Sequence, residues 1–190
     1  SAYPQQLAPH FAAFFGRILV DAPCSGEGMF RRQPEAIDEW SENAPRGCAD
    51  RQMEILEEAV KMLAPGGAMV YSTCTFNDTE NEGVLARFTL EHPEFTLEAF
   101  SLPGLPSGER GYAHLYPHEI CGEGHFVSLL RKSPDAPAVS MRISMRRRTS
   151  SAAPPAATDI FLCLFPKLWE RPFWQTVFPI WGQYSCPCAC

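Results

Sequence analysis

The chain has 190 residues, of which 45% are hydrophobic and 20% charged, with a formal net charge of −6. That is enough for one modest domain with a core of its own. No stretch reaches the apolar length of a membrane span, and the first residues lack the charged-then-apolar layout of a signal peptide, so a cytoplasmic, reducing location is expected.

The charge is unevenly divided. Residues 1–132 hold 10 basic and 19 acidic side chains, whereas the remaining residues hold 6 and 3. A protein that grips nucleic acid by itself usually offers phosphates a basic surface. The acidic body argues against autonomous binding of that kind. There are eight cysteines. Without an export signal, Cys24, Cys48, Cys74 and Cys121 are expected as free thiols rather than as a disulfide framework.

In chain order, residues 17–21 read as a short buried strand that ends in Asp21. Ala22-Pro23-Cys24-Ser25-Gly26-Glu27-Gly28 follows as a loop, punctuated by one proline and two glycines. Residues 50–63 are predicted helical, because Met53, Leu56, Val60 and Leu63 recur at spacings of three and four with charged residues between them. Asp50 is the expected N-cap, and Pro65-Gly66-Gly67 the stop. Residues 68–73 predict a second buried strand with Cys74 at its carboxyl end. A further helix is expected from Asn77 to about His92, its first turn rich in acidic residues that suit the helix dipole. Residues 95–100 and 125–131 are the remaining strand candidates.

Strands alternating with helices predict an open, mostly parallel sheet with helices on both faces. Ligands of such sheets bind outside the carboxyl ends of the strands. Asp21 and Cys74 both fall at carboxyl ends. The Asp21–Cys24 loop and Cys74 should therefore meet on one rim, which brings two thiols and a carboxylate together.

These runs carry a family likeness. Asp21-Ala22-Pro23-Cys24-Ser25-Gly26-Glu27-Gly28-Met29-Phe30-Arg31 resembles the fourth motif of the NOL1/NOP2/Sun family of RNA 5-methylcytosine methyltransferases. Pro65-Gly66-Gly67, then Tyr71-Ser72-Thr73-Cys74-Thr75 and Glu80-Asn81-Glu82, resembles its sixth. Gly122-Glu123-Gly124-His125-Phe126 is similar to its final strand motif, and Glu27-Gly28-Met29-Phe30 is most similar to the bacterial 16S ribosomal RNA branch, RsmF. The resemblance covers residues 1–132. It implies the C-terminal half of a Rossmann-like class I methyltransferase sheet, with S-adenosylmethionine as methyl donor and RNA, ribosomal in this branch, as partner. No metal, no membrane and no obligate protein partner are expected.

The implied chemistry explains the residue types. Carbon 5 of cytosine is a poor nucleophile until a thiolate adds at carbon 6 and breaks the aromaticity of the ring. By position, Cys74 matches the cysteine that forms this bond, and Cys24 the second cysteine, which assists release of the methylated product. Asp21 matches an aspartate lining both the methyl donor and the cytosine, and the Pro23 backbone lies near the base.

Other residues invite plainer readings. Cys48 and Cys121 are expected as small buried hydrophobes, His125 as a packed strand residue rather than a general base, and Gly26 and Gly28 as turn residues. The stripe Met53, Leu56, Val60 and Leu63 is expected to be core.

The chain also departs from the family pattern. The glycine-rich loop that cradles the methyl donor, and the acidic residue for its ribose, are missing. Only about 16 residues precede the Asp21 strand, too few for a βαβ unit of roughly 30. The sequence therefore reads as a fragment whose first strand exposes an edge meant to be paired, an aggregation liability. After residue 132 the character changes. Residues 133–158 read as a disordered linker with a basic cluster at Arg142 and Arg146–Arg148. The 133–190 tail, of uncertain fold, fits a shifted reading frame. Three other readings stand beside the leading one. They are a DNA cytosine-5 methyltransferase attacking through Cys24, an inactive remnant without a donor loop, and a metal or redox module at Cys186, Cys188 and Cys190, whose spacing is poor for zinc.

Overall fold

The computed structural model describes residues 2–137 and, of the tail, the backbone of residues 159–163. Arg142, Arg146–Arg148 and Cys186–Cys190 lie outside the described residues. The strands are β1 (Phe15–Asp21), β2 (Leu63–Thr73), β3 (Phe95–Leu97), β4 (Tyr112–Leu115), β5 (His125–Lys132) and β6 (Asp159–Cys163). The helices are α1 (Pro4–Leu7), α2 (Glu35–Glu39), α3 (Ala44–Met62) and α4 (Glu82–Glu91). The sheet runs β3-β5-β2-β1-β6, with β4 also on β5.

The sheet is mixed, which corrects the expectation of a mostly parallel one. β1 pairs in parallel with β2 and with β6. β5 is antiparallel to β2, β3 and β4. The reason lies in the connections: parallel neighbours need a long crossover, whereas the β3–β4–β5 segment turns back without a helix and can pair only antiparallel. β5 therefore runs against β2, and its first residue, His125, arrives at the rim where β2 ends.

Helices on both faces were expected, and this also changes. The core joins Ile18 and Val20 of β1, Met69 and Tyr71 of β2, and Phe126 and Leu130 of β5 to Met53, Leu56 and Val60 of α3 and Val84, Leu85 and Phe88 of α4. Both long helices thus cover one face. β5 alternates strictly between buried and half-buried residues, the pattern of a strand covered on one side.

α3 begins at Ala44, six residues before the expected start, and its N-cap is Asn43. Asp50 is therefore an interior residue, and its carboxylate pairs with Arg87 on α4 at 3.0 Å. The expected stripe is core: Met53, Leu56, Val60 and Leu63 are all buried. Pro65-Gly66-Gly67 does not separate helix from strand, because the helix closes at Met62 and β2 starts at Leu63. The end of α3 is satisfied by a distant residue. Lys132 Nζ donates to the carbonyls of Val60 and Leu63, both at 2.9 Å, filling acceptors that a helix terminus leaves unpaired.

The expected bare edge of β1 is paired. β6 aligns with it from Arg17↔Asp159 to Asp21↔Cys163. An unpaired strand edge presents a row of backbone donors and acceptors that any extended segment can satisfy, and here the tail supplies one.

Candidate active site at the carboxyl rim

Parallel pairing of β1 with β2 places Asp21 opposite Ser72, and the Ser72 hydroxyl donates to Asp21 Oδ1 at 2.9 Å. Both chains then leave the sheet in the same direction. The loop after β1 carries Pro23 and Cys24, and the loop after β2 carries Cys74. The two thiols meet, with Cys24 Sγ 3.1 Å from Cys74 Sγ. The Cys74 backbone N–H also donates to Cys24 Sγ at 3.2 Å. Fifty residues of sequence separation thus end in sulfur–sulfur contact. Cys24, Cys48, Cys74 and Cys121 are all free thiols.

Two carboxylates clasp the loops together, one from each side. Glu27, from the first loop, accepts from the Thr75 hydroxyl at 2.8 Å and the Phe76 N–H at 3.2 Å in the second. Glu80, from the second, accepts from the Ser25 N–H at 3.0 Å and from the Ser25 hydroxyl in the first. Thr73 and Asn81 brace the second loop internally: the Thr73 hydroxyl donates to Asn81 Oδ1 at 2.6 Å, and Asn81 Nδ2 donates to the Thr75 carbonyl at 3.0 Å.

Gly28 sets how closely the loops approach. Its N–H donates to the Cys74 carbonyl at 2.8 Å. A Cβ at this position would lie 2.6 Å from the Gly124 carbonyl oxygen and 2.8 Å from that of Cys74. Reading it as a mere turn residue missed this role. Gly26 does fit the turn reading, with φ of 75°, a left-handed conformation that glycine adopts without penalty.

Beneath the loops lies a buried polar cluster. Gln52 of α3 is fully buried, as is Glu80. Gln52 Nε2 donates to the Pro23 carbonyl at 2.8 Å and to Glu80 Oε2 at 2.9 Å. The Tyr71 hydroxyl donates to the Glu80 carbonyl at 2.6 Å, with Gln52 Oε1 a second acceptor at 3.0 Å. Glu80 and Tyr71 stood inside quoted motifs without a stated role, and Gln52 was missed. A signal for it was present: a glutamine directly beside Met53 breaks the apolar face of an amphipathic helix.

The hydrogen bond with Cys74 and burial push the Cys24 thiol well above the ordinary value for cysteine, so Cys24 keeps its proton near neutral pH. Burial raises Asp21, against the Ser72 hydrogen bond that favours its charged form. Burial likewise raises Glu80, despite donors from Ser25 and Gln52. Burial lowers His125, which holds its ring neutral near pH 7. His125 sits at the rim with Nδ1 3.3 Å from the Thr73 carbonyl.

The plain readings divide. Cys48 is half-buried on α3, and burial raises its thiol, with the charge of Glu80 acting in the same direction. Cys121 is exposed, so the expectation of a buried hydrophobe fails there. Cys121 lies in a bend beside the exposed Gly122, and such a segment offers no core to enter.

A mixed, open α/β sheet with paired thiols and a carboxylate at its carboxyl rim defines a Rossmann-like domain of the methyltransferase type. Comparison with known proteins gives the family. The family model described as 16S rRNA methyltransferase RsmB/F matches residues 2–131, and the chain belongs to that family. The ribosomal RNA small subunit methyltransferase F of Shigella boydii is 35% identical over 182 residues, covering 87% of this chain and 38% of that protein. The corresponding protein of Cronobacter sakazakii is 41% identical over 125 residues, covering 63% of this chain and 26% of that one. The chain thus spans well under half the length of these relatives. Among solved structures, that of PH0851 is similar, with a TM-score of 0.59 at 32% identity, covering 64% of this chain and 27% of that one.

Proposed function

We propose that this chain carries the nucleophile-bearing part of an S-adenosylmethionine-dependent methyltransferase acting on carbon 5 of a cytosine in RNA, ribosomal RNA being the favoured substrate. The single observation that carries this reading is the Cys24–Cys74 contact of 3.1 Å at the carboxyl rim, with Asp21 fastened to Ser72 beside it. The residues present fit the methyl donor in charge, since Asp21 offers a carboxylate at the rim where a sulfonium would approach. When bound, S-adenosylmethionine supplies an electrophilic methyl group.

The chain's own groups do the rest. Cys74 adds as thiolate to carbon 6, and carbon 5 becomes enamine-like. Loss of the carbon 5 proton to water and departure of the Cys74 thiolate then restore the aromatic ring. Cys24, held protonated by its surroundings, meets the departing thiolate with an S–H donor and so favours release. The Asp21 carboxyl, with the Pro23 backbone, holds the amino edge of the base. The target base must stand out of any stack to reach this rim. The alternative in which Cys24 attacks, as in DNA cytosine methylation, is disfavoured by the run Tyr71-Ser72-Thr73-Cys74-Thr75, which resembles the motif that carries the family's nucleophile. Free thiols at the centre of the site suit a reducing compartment such as the bacterial cytoplasm.

The test uses RNA containing 5-fluorocytosine, which blocks loss of the carbon 5 substituent and traps the covalent complex. It is offered with S-adenosylmethionine to this chain, and to a chimaera in which the chain replaces its matched segment in the Shigella boydii relative. The chimaera should form an adduct mapped by peptide mass spectrometry to Cys74, and Cys74→Ser should abolish it. An adduct on Cys24 would overturn the assignment. Titration of the chain and of the chimaera with S-adenosylmethionine separates the reading of an inactive remnant, which predicts no measurable binding by either protein.

A further inference from the structure

Gln52 lies outside every motif that drew attention to this chain, yet it touches the loop that carries Cys24. Its side chain is fully buried within a helix face that is otherwise apolar. Burying an amide is unfavourable unless its donors and acceptor are paired, and here they are. One Nε2 hydrogen goes to the carbonyl of Pro23, the residue immediately before Cys24. The other goes to Glu80, the carboxylate that grips both the N–H and the hydroxyl of Ser25, the residue immediately after Cys24. Both partners of Nε2 are acceptors only, which decides which end of the amide donates, and Oε1 lies 3.0 Å from the Tyr71 hydroxyl.

We propose that Gln52 is a positioning residue for the Cys24 thiol: it holds residue 23 directly and residue 25 through Glu80, and so keeps Cys24 Sγ against Cys74 Sγ. A purely space-filling residue would not need donors aimed at the two neighbours of a thiol. The consequence for catalysis rests on the reading above, in which Cys24 assists release. Loss of the Gln52 bonds should then slow departure of the product more than formation of the Cys74 adduct.

The geometric part is tested without RNA. In a chain whose other cysteines are changed to serine, Cys24 and Cys74 are equilibrated with reduced and oxidised glutathione. Cys74 thiolate attacks oxidised glutathione, giving a mixed disulfide and one reduced glutathione. Cys24 then displaces the second glutathione, and the protein disulfide is quantified by mass spectrometry. The equilibrium constant measures how well the fold holds the two sulfurs together. Gln52→Met, similar in volume and a good helix former, removes both donors. It should lower that constant about tenfold while thermal unfolding stays cooperative. A constant within about twofold of the parent chain would overturn the proposal. Should Gln52→Met fail to fold, Tyr71→Phe decides: it removes the hydroxyl that the Glu80 carbonyl and Gln52 Oε1 share, loosens the hold of Gln52 and Glu80 on residues 23 and 25, and should lower the constant in the same direction, whereas no change would again overturn it. The chimaera separates the two readings. With cytosine RNA, Gln52→Met should accumulate a covalent protein–RNA complex carrying the methyl group. A lowered constant without that complex would leave the positioning role standing and remove Cys24 from the release step.

Discussion

Two polar clusters bind α3 to the segment that follows β2, and they differ in kind. One is the exposed ion-pair group around Arg87, which reaches Asp50 at 3.0 Å and Glu91 at 3.0 Å. The other is the buried group around Glu80, which gathers Ser25, Gln52 and Tyr71 beneath the two thiols. The first stands in water, where long side chains lose entropy on pairing and salt screens what they gain. The second is cut off from water, where each donor must find its acceptor and each lost partner leaves another group unsatisfied. The lesson is that the same pair of elements is decorated by one cluster and ordered by the other.

Substitutions should break the two clusters unequally. The largest effect is expected from Glu80→Leu, which strands the Ser25 N–H and the Gln52 amide. It should cost about 3 kcal/mol in denaturant unfolding and disorder the Cys24 loop. Gly28→Ala comes next, because its Cβ would meet the carbonyls of Gly124 and Cys74, and backbone cannot yield as a side-chain tip can. A loss of about 2 kcal/mol is expected, with a lower yield of the Cys24–Cys74 disulfide in glutathione buffers.

A third prediction concerns pH. Burial raises Glu80 above its ordinary 4.5 in the folded chain, so the native state binds its proton more tightly than the unfolded state does. Stability conferred by the protonated form is present below 4.5 and is lost as pH rises through the raised value. Asp21 is shifted in the same direction and adds to the slope. Unfolding midpoints measured upward from pH 4.5 should therefore fall in the parent chain, and fall less in Glu80→Gln. An equal slope in both would show that Glu80 does not titrate in this window.

The smallest effect belongs to the exposed cluster. Arg87→Ala should leave the unfolding midpoint unchanged at moderate salt, and any effect at low salt should vanish as salt is added. A salt-resistant loss would mean that the α3–α4 ion pairs do more than their exposure suggests.

Much of this was legible beforehand, and for identifiable reasons. The stripe Met53, Leu56, Val60 and Leu63 followed from helical period and is buried. The positions of Asp21 and Cys74 at strand ends followed from hydrophobic runs bounded by loops, and the strands do end at Asp21 and Thr73. The start of α3 was misplaced because Ala44–Ala49 carries no apolar period strong enough to outweigh Pro45 and Gly47. Proline is compatible with a first helical turn, and tertiary contact supplied the rest. Gln52 stayed hidden because periodicity marks which face a residue occupies, not which backbone carbonyl lies beneath that face.

Local sequence determined the elements and the chemistry available to them: thiols at 24 and 74, a carboxylate at 21, and loops able to leave the sheet at those points. Hydrophobic period and turn residues act over a few positions, so they can be read from a linear string. Tertiary structure alone decided that β5 returns antiparallel, that β6 covers the edge of β1, and that Cys24 and Cys74 stand 3.1 Å apart. Those outcomes depend on strand register and on the pairing of buried donors with distant acceptors. No residue carries that information until the sheet brings its partner alongside.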